Sequence, residues 1–249
     1  ICHPSLASNE LSGPLVSAFI FSKLKVQKNL KYTYRFVFAP ETIGSIYYLS
    51  QNGEYFRKNL TAGFIITCLG DNGKFTYKRS RQGNSITDRV AELILKQSEE
   101  ECNIVDFVPR GSDERQYCSP GFNLPVGSLM RTMYGKYPEY HTSADNKEYI
   151  SFDALEKSIL KYLDIIELLE RNENYINTMP YCEPQLGKRG LYPTLGSQKN
   201  TGEFVDSMMW VLNLADGTND LISISEKSNI PVKELIPVID TLIDAGLLK

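Results

Sequence analysis

Apolar residues recur at helical spacing and at strand spacing in alternating stretches over the first two-thirds of the chain. Helical stretches are predicted at 11–24, 42–56, 86–97 and 152–171. Strand-like runs of β-branched, aromatic and apolar residues lie at 32–39, 63–69, 75–79, 104–108 and 126–132. This alternation predicts an α/β domain with helices on the faces of a sheet. The run 63–69 ends in Gly70-Asp71-Asn72-Gly73 and is typical of a buried central strand that leads into a turn.

The last quarter of the chain has a different pattern. Between 181 and 202 the periodicity is lost and Pro, Gly, Gln, Lys and Asn dominate, which indicates a linker. Three short helical stretches follow at 204–214, 222–228 and 232–245, with turns predicted at Asp216-Gly217 and Asn229-Ile230-Pro231. This layout predicts a helix-turn-helix or winged-helix module. We therefore predict two domains, 1–195 and 203–249.

The composition is that of an ordinary globular protein. The 249 residues are 42% hydrophobic, which is enough for the cores of one large domain and a small one. A net charge of −3 gives no electrostatic reason to expect binding to nucleic acid or to an anionic membrane. The last domain is itself acidic, since 203–249 holds three Lys and eight Asp or Glu residues. We expect it to pack or to dock a protein partner or another copy of the chain rather than to bind DNA.

The cysteines and the apolar runs indicate the cellular compartment in which the chain is expected. Five scattered cysteines include no Cys-x-x-Cys pair, so neither a disulfide framework nor a zinc ribbon is predicted, and a reducing cytoplasm fits best. No apolar run approaches the roughly 20 residues that span a bilayer. Ile1 and Cys2 are typical of the end of a strand, so we expect the sheet to continue upstream in a longer chain.

The only two histidines, His3 and His141, each lie in a short polar run. A lone histidine is usually a satisfied surface or core side chain, but neutral imidazole is also the commonest zinc ligand. Two carboxylates, Glu41 and Asp71, follow strand-like runs, and His141 lies beyond another. Because loops that leave the carboxyl ends of strands converge over one crevice, these four side chains predict a hydrolytic metal site. The loop 109–125, rich in Gly, Pro and Ser, is expected at the edge of this site.

Five short motifs carry a resemblance to a known family. They are Cys2-His3-Pro4-Ser5, Asn9-Glu10-Leu11-Ser12-Gly13, Pro40-Glu41, Gly70-Asp71 and Tyr140-His141-Thr142. With these motifs the chain resembles the zinc aminopeptidases with two co-catalytic metals. It is most similar to their aminopeptidase-like branch, which is named beside polysaccharide biosynthesis proteins and has a C-terminal winged helix. The resemblance covers nearly the whole chain. It implies a three-layer α/β/α domain with a mixed sheet that acts on a small peptide-like or amide substrate.

The resemblance also implies a set of zinc ligands. One zinc would bind His3 and Asp71, and the other would bind Glu41 and His141. The position that matches the family's bridging aspartate is Asn9, whose neutral amide offers a carbonyl oxygen but no charge to hold two dications together. We therefore expect one zinc to be held firmly and a second weakly or not at all.

The general base is a second departure from the family pattern. The family carries two adjacent glutamates, the first a base and the second a ligand, whereas Glu41 follows Pro40. Glu41 would therefore serve as the base or as a ligand. Glu10 or Glu114 could supply the missing carboxylate, and the alternative for each is a solvated charge or an acid at a helix start.

Three further residues are candidates for supporting roles. Asp145 could orient the His141 imidazole or could be a turn residue. Asp113 and Arg131 could bind the charged ends of a substrate, or could form structural salt bridges.

Two functions follow from these residues. The leading interpretation is a metal-dependent hydrolase in which zinc-activated water cleaves an amide or peptide bond. The alternative, suggested by Asn9 and Pro40, is a non-catalytic or assembly protein that keeps the peptidase scaffold and binds a partner or a glycan precursor.

Overall fold

Two units make up the described part of the chain. The computed structural model describes residues 1–191 and 200–249, and these divide into Ile1–Glu167 and Leu168–Lys249. The boundary between the two units, after Glu167, lies earlier in the sequence than the predicted domain boundary between 195 and 203. Residues 192–199, within the predicted linker, lie outside the described ranges. None of the helices in the described ranges combines the length and the apolar character that a bilayer span requires.

The first unit contains the helices that the alternating pattern predicts. Its elements, in chain order, are a π-helical turn (Ala7–Leu11), α1 (Ser12–Leu24), α2 (Ile43–Asn59), β1 (Gly63–Ile66), β2 (Phe75–Lys78), α3 (Ile86–Lys96), β3 (Cys102–Val105), α4 (Glu114–Tyr117), β4 (Val126–Met130) and most of α5 (Phe152–Arg171), whose last residues belong to the second unit. The four helices predicted at 11–24, 42–56, 86–97 and 152–171 are thus confirmed. The predicted loop 109–125 contains only the short helix α4.

Four strands form a mixed sheet in the order β1-β4-β2-β3. β1 is parallel to β4, with Gly63 opposite Val126, and β2 is parallel to β3. β2 and β4 are antiparallel, with Tyr77 opposite Leu129. Helix α1 packs on β1, and α3 packs on β2, β3 and β4. The predicted α/β fold with a mixed sheet is confirmed.

Two of the strand predictions were wrong. The segment 32–39 forms no strand within the described residues. Its residues largely alternate between half-buried and exposed, as in an extended chain, but it has no hydrogen-bonded partner strand in those residues. β1 lies at one end of the sheet order, and the fully buried β4 and β2 are central. An apolar run predicts burial but does not determine the place of a strand in the sheet.

The second unit contains a small antiparallel sheet and three helices. Its elements are β5 (Asn174–Ile176), a 3₁₀ helix (Gly187–Arg189), α6 (Asn200–Leu214), β6 (Asp216–Asp220), α7 (Leu221–Ser228) and α8 (Val232–Asp244). β5 pairs with β6, and the three helices pack on one another. The predicted helices are confirmed, but the turn predicted at Asp216-Gly217 is the start of a strand. The second predicted turn is present, because Asn229 ends α7 with a φ of 57°.

Candidate functional site

The π-helical turn Ala7–Leu11 carries two candidate residues, Asn9 and Glu10. The buried Asp145 holds this turn from a distant part of the chain. Its carboxylate accepts hydrogen bonds from the backbone N–H groups of Ser8 at 2.6 Å and of Asn9 at 3.0 Å. The Asp145 carboxylate therefore binds the turn directly, and its predicted role in orienting His141 stays a prediction.

The Ser12-Gly13 pair fixes this turn to the carboxyl end of β1. A Cβ at Gly13 would collide with the carbonyl oxygen of the last residue of β1, so the close approach requires glycine. The Ser12 hydroxyl donates to the carbonyl of Ser8 at 2.5 Å and accepts a hydrogen bond from the backbone N–H of Leu69 at 3.0 Å. The Ser-Gly part of the motif therefore places the turn at the edge of the sheet.

The two histidines lie side by side, although they are far apart in the sequence. Their ring centroids are 4.2 Å apart and their planes are inclined at 40°. The buried Glu10 is beside them, with its Oε1 3.6 Å from Nδ1 of His3. Glu10 also accepts hydrogen bonds from the backbone N–H of Cys2 at 2.9 Å and from Nδ2 of Asn9 at 3.0 Å. Two imidazoles and one carboxylate thus converge at one place.

An aromatic stack supports His141. The ring of Tyr140 lies against the imidazole, with a centroid distance of 3.8 Å and an interplanar angle of 15°. Tyr137 contacts Tyr140 edge-on and stacks on Tyr149. His141 has a φ of 58°, a left-handed conformation that is uncommon for residues other than glycine and that is found at functional sites. Sequence reasoning missed this support, although the tyrosines that precede His141 were a local signal for it.

Burial and neighbouring charges shift the pKa values of His141 and of the nearby Cys2. Burial lowers the pKa of His141, a charged His3 lowers it further, and Glu10 opposes this effect. The His141 ring therefore stays neutral at pH 7, which is the form that binds metal. Burial raises the pKa of Cys2, and the charges of Glu41 and Glu10 add to that rise. Cys2 therefore stays a thiol, which argues against a thiolate nucleophile.

Glu41 lies within electrostatic reach of this cluster. Burial raises the pKa of its carboxyl group, the charges of Asp113 and Glu10 raise it further, and a hydrogen bond with Ser112 opposes the rise. The backbone N–H of the next residue, Thr42, donates to Oδ1 of Asp113 at 2.7 Å. Asp113 therefore contacts the start of α2, and its predicted role in substrate binding stays a prediction.

Asp71 is buried between the carboxyl ends of β1 and β4. Its Oδ1 accepts hydrogen bonds from the Thr132 hydroxyl at 2.5 Å and from the backbone N–H of Gly73 at 2.8 Å. Its Oδ2 is 3.5 Å from the hydroxyl of Ser8 and 3.3 Å from the backbone nitrogen of Thr132. The carboxylate of Asp71 therefore links two parallel strand ends to the π-helical turn.

Arg131 and Glu114 are buried in the first unit. Arg131 donates from Nη1 to the carbonyl of Gly73 at 2.9 Å, and its guanidinium carbon lies 4.2 Å from the centre of the Phe75 ring. Glu114 forms an ion pair with Lys78, with 2.7 Å between Oε1 and Nζ. Glu114 is therefore not a solvated loop charge. The substrate-binding role of Arg131 stays a prediction.

The cluster of His3, His141 and Glu10 fits a metal ion because two buried atoms in or beside it lack a hydrogen-bond partner. Nδ1 of His3 and Oδ1 of Asn9 are buried and have no hydrogen-bond partner within the described residues. A cation would satisfy both atoms, and two imidazoles with the Glu10 carboxylate are donors that suit one zinc ion. As they stand, no three or more His, Cys, Asp or Glu side chains in 1–191 and 200–249 are arranged to hold a metal. The cluster therefore offers donors for a single ion without forming a complete site.

Two family patterns match the chain from end to end. The pattern described as a domain of unknown function (DUF4910) matches residues 1–172, and a winged helix-turn-helix pattern matches residues 173–249. The chain belongs to the DUF4910 family. A relative from Clostridium acetobutylicum, whose name provisionally pairs polysaccharide biosynthesis with an aminopeptidase-like domain, is 46% identical over 248 residues. That match covers 100% of this chain and 56% of the relative.

Solved structures resemble this DUF4910 chain as well. A crystal structure from Clostridium acetobutylicum, named provisionally as a peptidase, matches with a TM-score of 0.91 at 45% identity, over 100% of this chain and 55% of that one. A zinc aminopeptidase from Bacillus subtilis matches in fold alone, with a TM-score of 0.53 at 17% identity over 65% of this chain and 41% of that one. The DUF4910 chain spans about half the length of the relatives it matches. The predicted aminopeptidase-like scaffold followed by a winged helix is confirmed. The expected zinc binding, with one ion held firmly and a second weakly or not at all, stays a prediction.

Proposed function

We propose that this chain is a metal-dependent hydrolase of the aminopeptidase type, which cleaves an amide or peptide bond in a small peptide-like substrate with zinc-activated water. The observation that carries the proposal is the contact between His3 and His141 beside the buried carboxylate of Glu10. These are the only histidines of the chain, and the fold gathers both at one place. The peptidase-like scaffold shared with the relatives supports the same conclusion.

Each residue of the cluster has a task in this proposal. His3, His141 and Glu10 would hold one zinc ion. A bound zinc ion lowers the pKa of water and polarises a carbonyl group. Glu41 would accept a proton from the attacking water and return it to the leaving amine, and its raised pKa suits a general base. Asn9 would keep the Glu10 carboxylate in place through the hydrogen bond from its Nδ2 at 3.0 Å.

A second zinc would be held weakly in this proposal, because Asp71 is already engaged. Its Oδ1 accepts hydrogen bonds from Thr132 and Gly73, and recruiting Asp71 to a metal would break or lengthen them. Asn9, at the bridging position, carries no charge to compensate. We therefore propose one firm ion held on the side of His3, His141 and Glu10.

The two histidines allow a direct test of zinc binding. An untagged chain labelled with nitrogen-15 gives imidazole signals from His3 and His141 alone. When metal-free protein is titrated with zinc, both sets of signals should shift together. Glu10→Gln should weaken binding by about tenfold or more, because it removes the charge beside His3. Glu148→Gln, an exposed carboxylate outside the cluster, is the matched control and should bind zinc normally. If zinc moves neither imidazole, the proposal fails.

Turnover separates the hydrolase from a non-catalytic or assembly protein that binds a partner or a glycan precursor. The alternative is favoured by Asn9 and Pro40, which stand where the family carries carboxylates. A panel of aminoacyl amides and acetylated sugars should contain a substrate for the zinc-loaded chain. Glu41→Gln should abolish its turnover and leave the zinc-induced imidazole shifts unchanged. Absence of turnover across the panel, with zinc bound, would favour the alternative.

The second unit is proposed to dock a protein partner or another copy of the chain rather than nucleic acid. The exposed face of α8 carries Glu234, Asp240 and Asp244 together with Lys233. Acidic residues therefore outnumber basic ones where a recognition helix would meet DNA phosphates. Fluorescence anisotropy with labelled duplex DNA at low salt should show no binding. Salt-sensitive binding in this assay would contradict the proposal.

A further inference from the structure

The turn 112–115, with the sequence Ser-Asp-Glu-Arg, meets the backbone that carries Glu41. We propose that this turn positions Glu41: Asp113 and Arg115 hold a strained γ-turn at Thr42 and so fix the direction of the Glu41 side chain. Its catalytic consequence rests on the proposed function, in which Glu41 is the base. The conformational part stands without that function.

The backbone at Thr42 is strained. Thr42 has φ 63° and ψ −71°, and the backbone N–H of Ile43 donates to the carbonyl of Glu41 at 2.7 Å. This is a γ-turn with positive φ, which is rare for any residue and costlier for a β-branched one. Such conformations persist where the surrounding structure over-determines them. The Thr42 side chain forms no cap on α2 that would help to hold it.

The turn 112–115 binds both polar groups of Thr42. Oδ1 of Asp113 accepts a hydrogen bond from the Thr42 backbone N–H at 2.7 Å, and Nη2 of Arg115 donates to the Thr42 hydroxyl at 3.1 Å. The Thr42 N–H lies at the start of α2, where a carboxylate is favoured by the helix dipole. The side chain of Ser112 also interacts with the Glu41 carboxyl group. Three side chains of one turn therefore converge on two consecutive residues.

The turn 112–115 is itself held by its buried member, Glu114. The carboxylate of Glu114 is 2.7 Å from the ammonium group of Lys78, and both side chains are fully buried. Gly111 makes room for the pair, because a Cβ there would collide with both of its charged groups. With Glu114 fixed in the interior, the residues on either side of it can reach Thr42. The turn thus connects Lys78, the last residue of β2, to the start of α2.

Amide hydrogen exchange tests the conformational part. In Asp113→Ala the Thr42 amide loses its acceptor and should exchange about tenfold faster. Asp113→Asn keeps an acceptor oxygen and should stay within about threefold of the unmodified chain. Asp106→Ala removes a mostly exposed carboxylate and is the matched control. Exchange at Thr42 that does not respond to Asp113→Ala, with an unchanged melting temperature, would overturn the proposal. So would equal acceleration in the Ala and Asn variants.

A double-mutant cycle tests the link between strain and catalysis. Thr42→Gly removes the steric cost of positive φ, so the γ-turn would depend less on Asp113. Asp113→Ala should lower kcat by about tenfold with little change in KM, and by less than about threefold when Gly replaces Thr42. Equal effects of Asp113→Ala in both backgrounds would overturn the positioning role. If Asp113→Ala does not fold, the same cycle with Arg115→Ala provides an independent measurement of the effect on kcat.

The two parts fail in distinguishable ways. If the unmodified chain binds zinc and hydrolyses nothing, the proposed function fails while the exchange data still decide the conformational role of Asp113. If turnover is present and the exchange rate of the Thr42 amide does not change in Asp113→Ala, the proposed function stands and this inference fails.

Discussion

The buried ion pair of Lys78 and Glu114 leads to a specific expectation for stability. Both side chains are 0% exposed, with 2.7 Å between Nζ and Oε1. Lys78 also donates to the carbonyl of Arg110 and to the hydroxyl of Tyr134, both at 3.0 Å. Glu114 accepts hydrogen bonds from the hydroxyls of Tyr134 at 2.8 Å and Ser128 at 3.2 Å. Removing either charge leaves the other unpaired in a site that is closed to bulk solvent.

The magnitude follows from this burial. Lys78→Met should lower the free energy of unfolding by about 3–5 kcal/mol, and Glu114→Leu by a similar amount, because each leaves one unpaired buried charge. The double variant strands no charge, so its cost should be smaller than the sum of the single costs by about 2 kcal/mol or more. Lys74 and Glu101 form a matched exposed pair, and Lys74→Met should cost less than about 1 kcal/mol.

The assay must report on the first unit. The single tryptophan, Trp210, lies in the second unit, so its fluorescence does not report directly on unfolding around Lys78. Native-state hydrogen exchange of peptides from β2 and β4, read by mass spectrometry over a urea series, gives the free energy of opening locally. Costs that simply add in the double variant, or a cost below about 1 kcal/mol for Lys78→Met, would refute the reasoning.

Three further expectations concern other residues. Asp145→Ala removes the acceptor of two buried backbone N–H groups, so it should lower the free energy of unfolding by about 3 kcal/mol in thermal unfolding. Glu148→Ala, at an exposed position, is the control, and an equal cost in both variants would contradict this expectation. Asn9→Asp should raise the zinc content found by metal analysis, because a carboxylate offsets the repulsion between two dications; an unchanged content would mean that position 9 does not face the ions. Burial would raise the pKa of Asp88, but hydrogen bonds from Ser80, Ser85 and Tyr77 outweigh it and lower the pKa. A lowered pKa stabilises the folded state above the unfolded-state value of about 3.9 and loses that contribution as pH falls through the folded-state value. The stability difference between the unmodified chain and Asp88→Asn should therefore shrink as pH falls from about 5 to about 3 in urea titrations, and a constant difference would count against it.

The helices of the first unit were predictable because their signals are local. The helix predicted at 152–171 has the same bounds in the structure. Helix α3 begins with a capping box in which Ser85 and Asp88 bond each other's backbone N–H groups, and both residues are visible in the sequence. Apolar spacing and end signals of this kind need no knowledge of the rest of the chain.

The strand errors arose because pairing depends on distant residues. The segment 32–39 has the composition of a strand but pairs with no other strand within the described residues. β6 has the sequence Asp-Gly-Thr-Asn-Asp, which is typical of a turn, yet it pairs with β5 from a distant part of the chain. Neither outcome can be inferred from local propensity, since strand preference reflects packing and pairing more than the backbone.

The candidate site was predictable only in part. The scarcity of histidine was enough to single out His3 and His141, and the structure brings them together. Which carboxylate lies beside His3 could not be predicted, because it depends on the path of the π-helical turn Ala7–Leu11. The positive φ of Thr42 and its contact with Asp113 were also hidden, because a threonine in a γ-turn with positive φ has no sequence signal.

The side chains of Asn9 and Glu10 bind each other in the π-helical turn Ala7–Leu11. Nδ2 of Asn9 donates to Oε1 of Glu10 at 3.0 Å, so the neutral amide binds the acid next to it. An aspartate at position 9 would lose that donor and would place a second negative charge against Glu10. The pair therefore carries one carboxylate, that of Glu10, with its Oε1 3.6 Å from Nδ1 of His3. That carboxylate also accepts hydrogen bonds from Cys2 and Asn9, which leaves few of its lone pairs for a metal, so the structure is consistent with the proposal of a single ion.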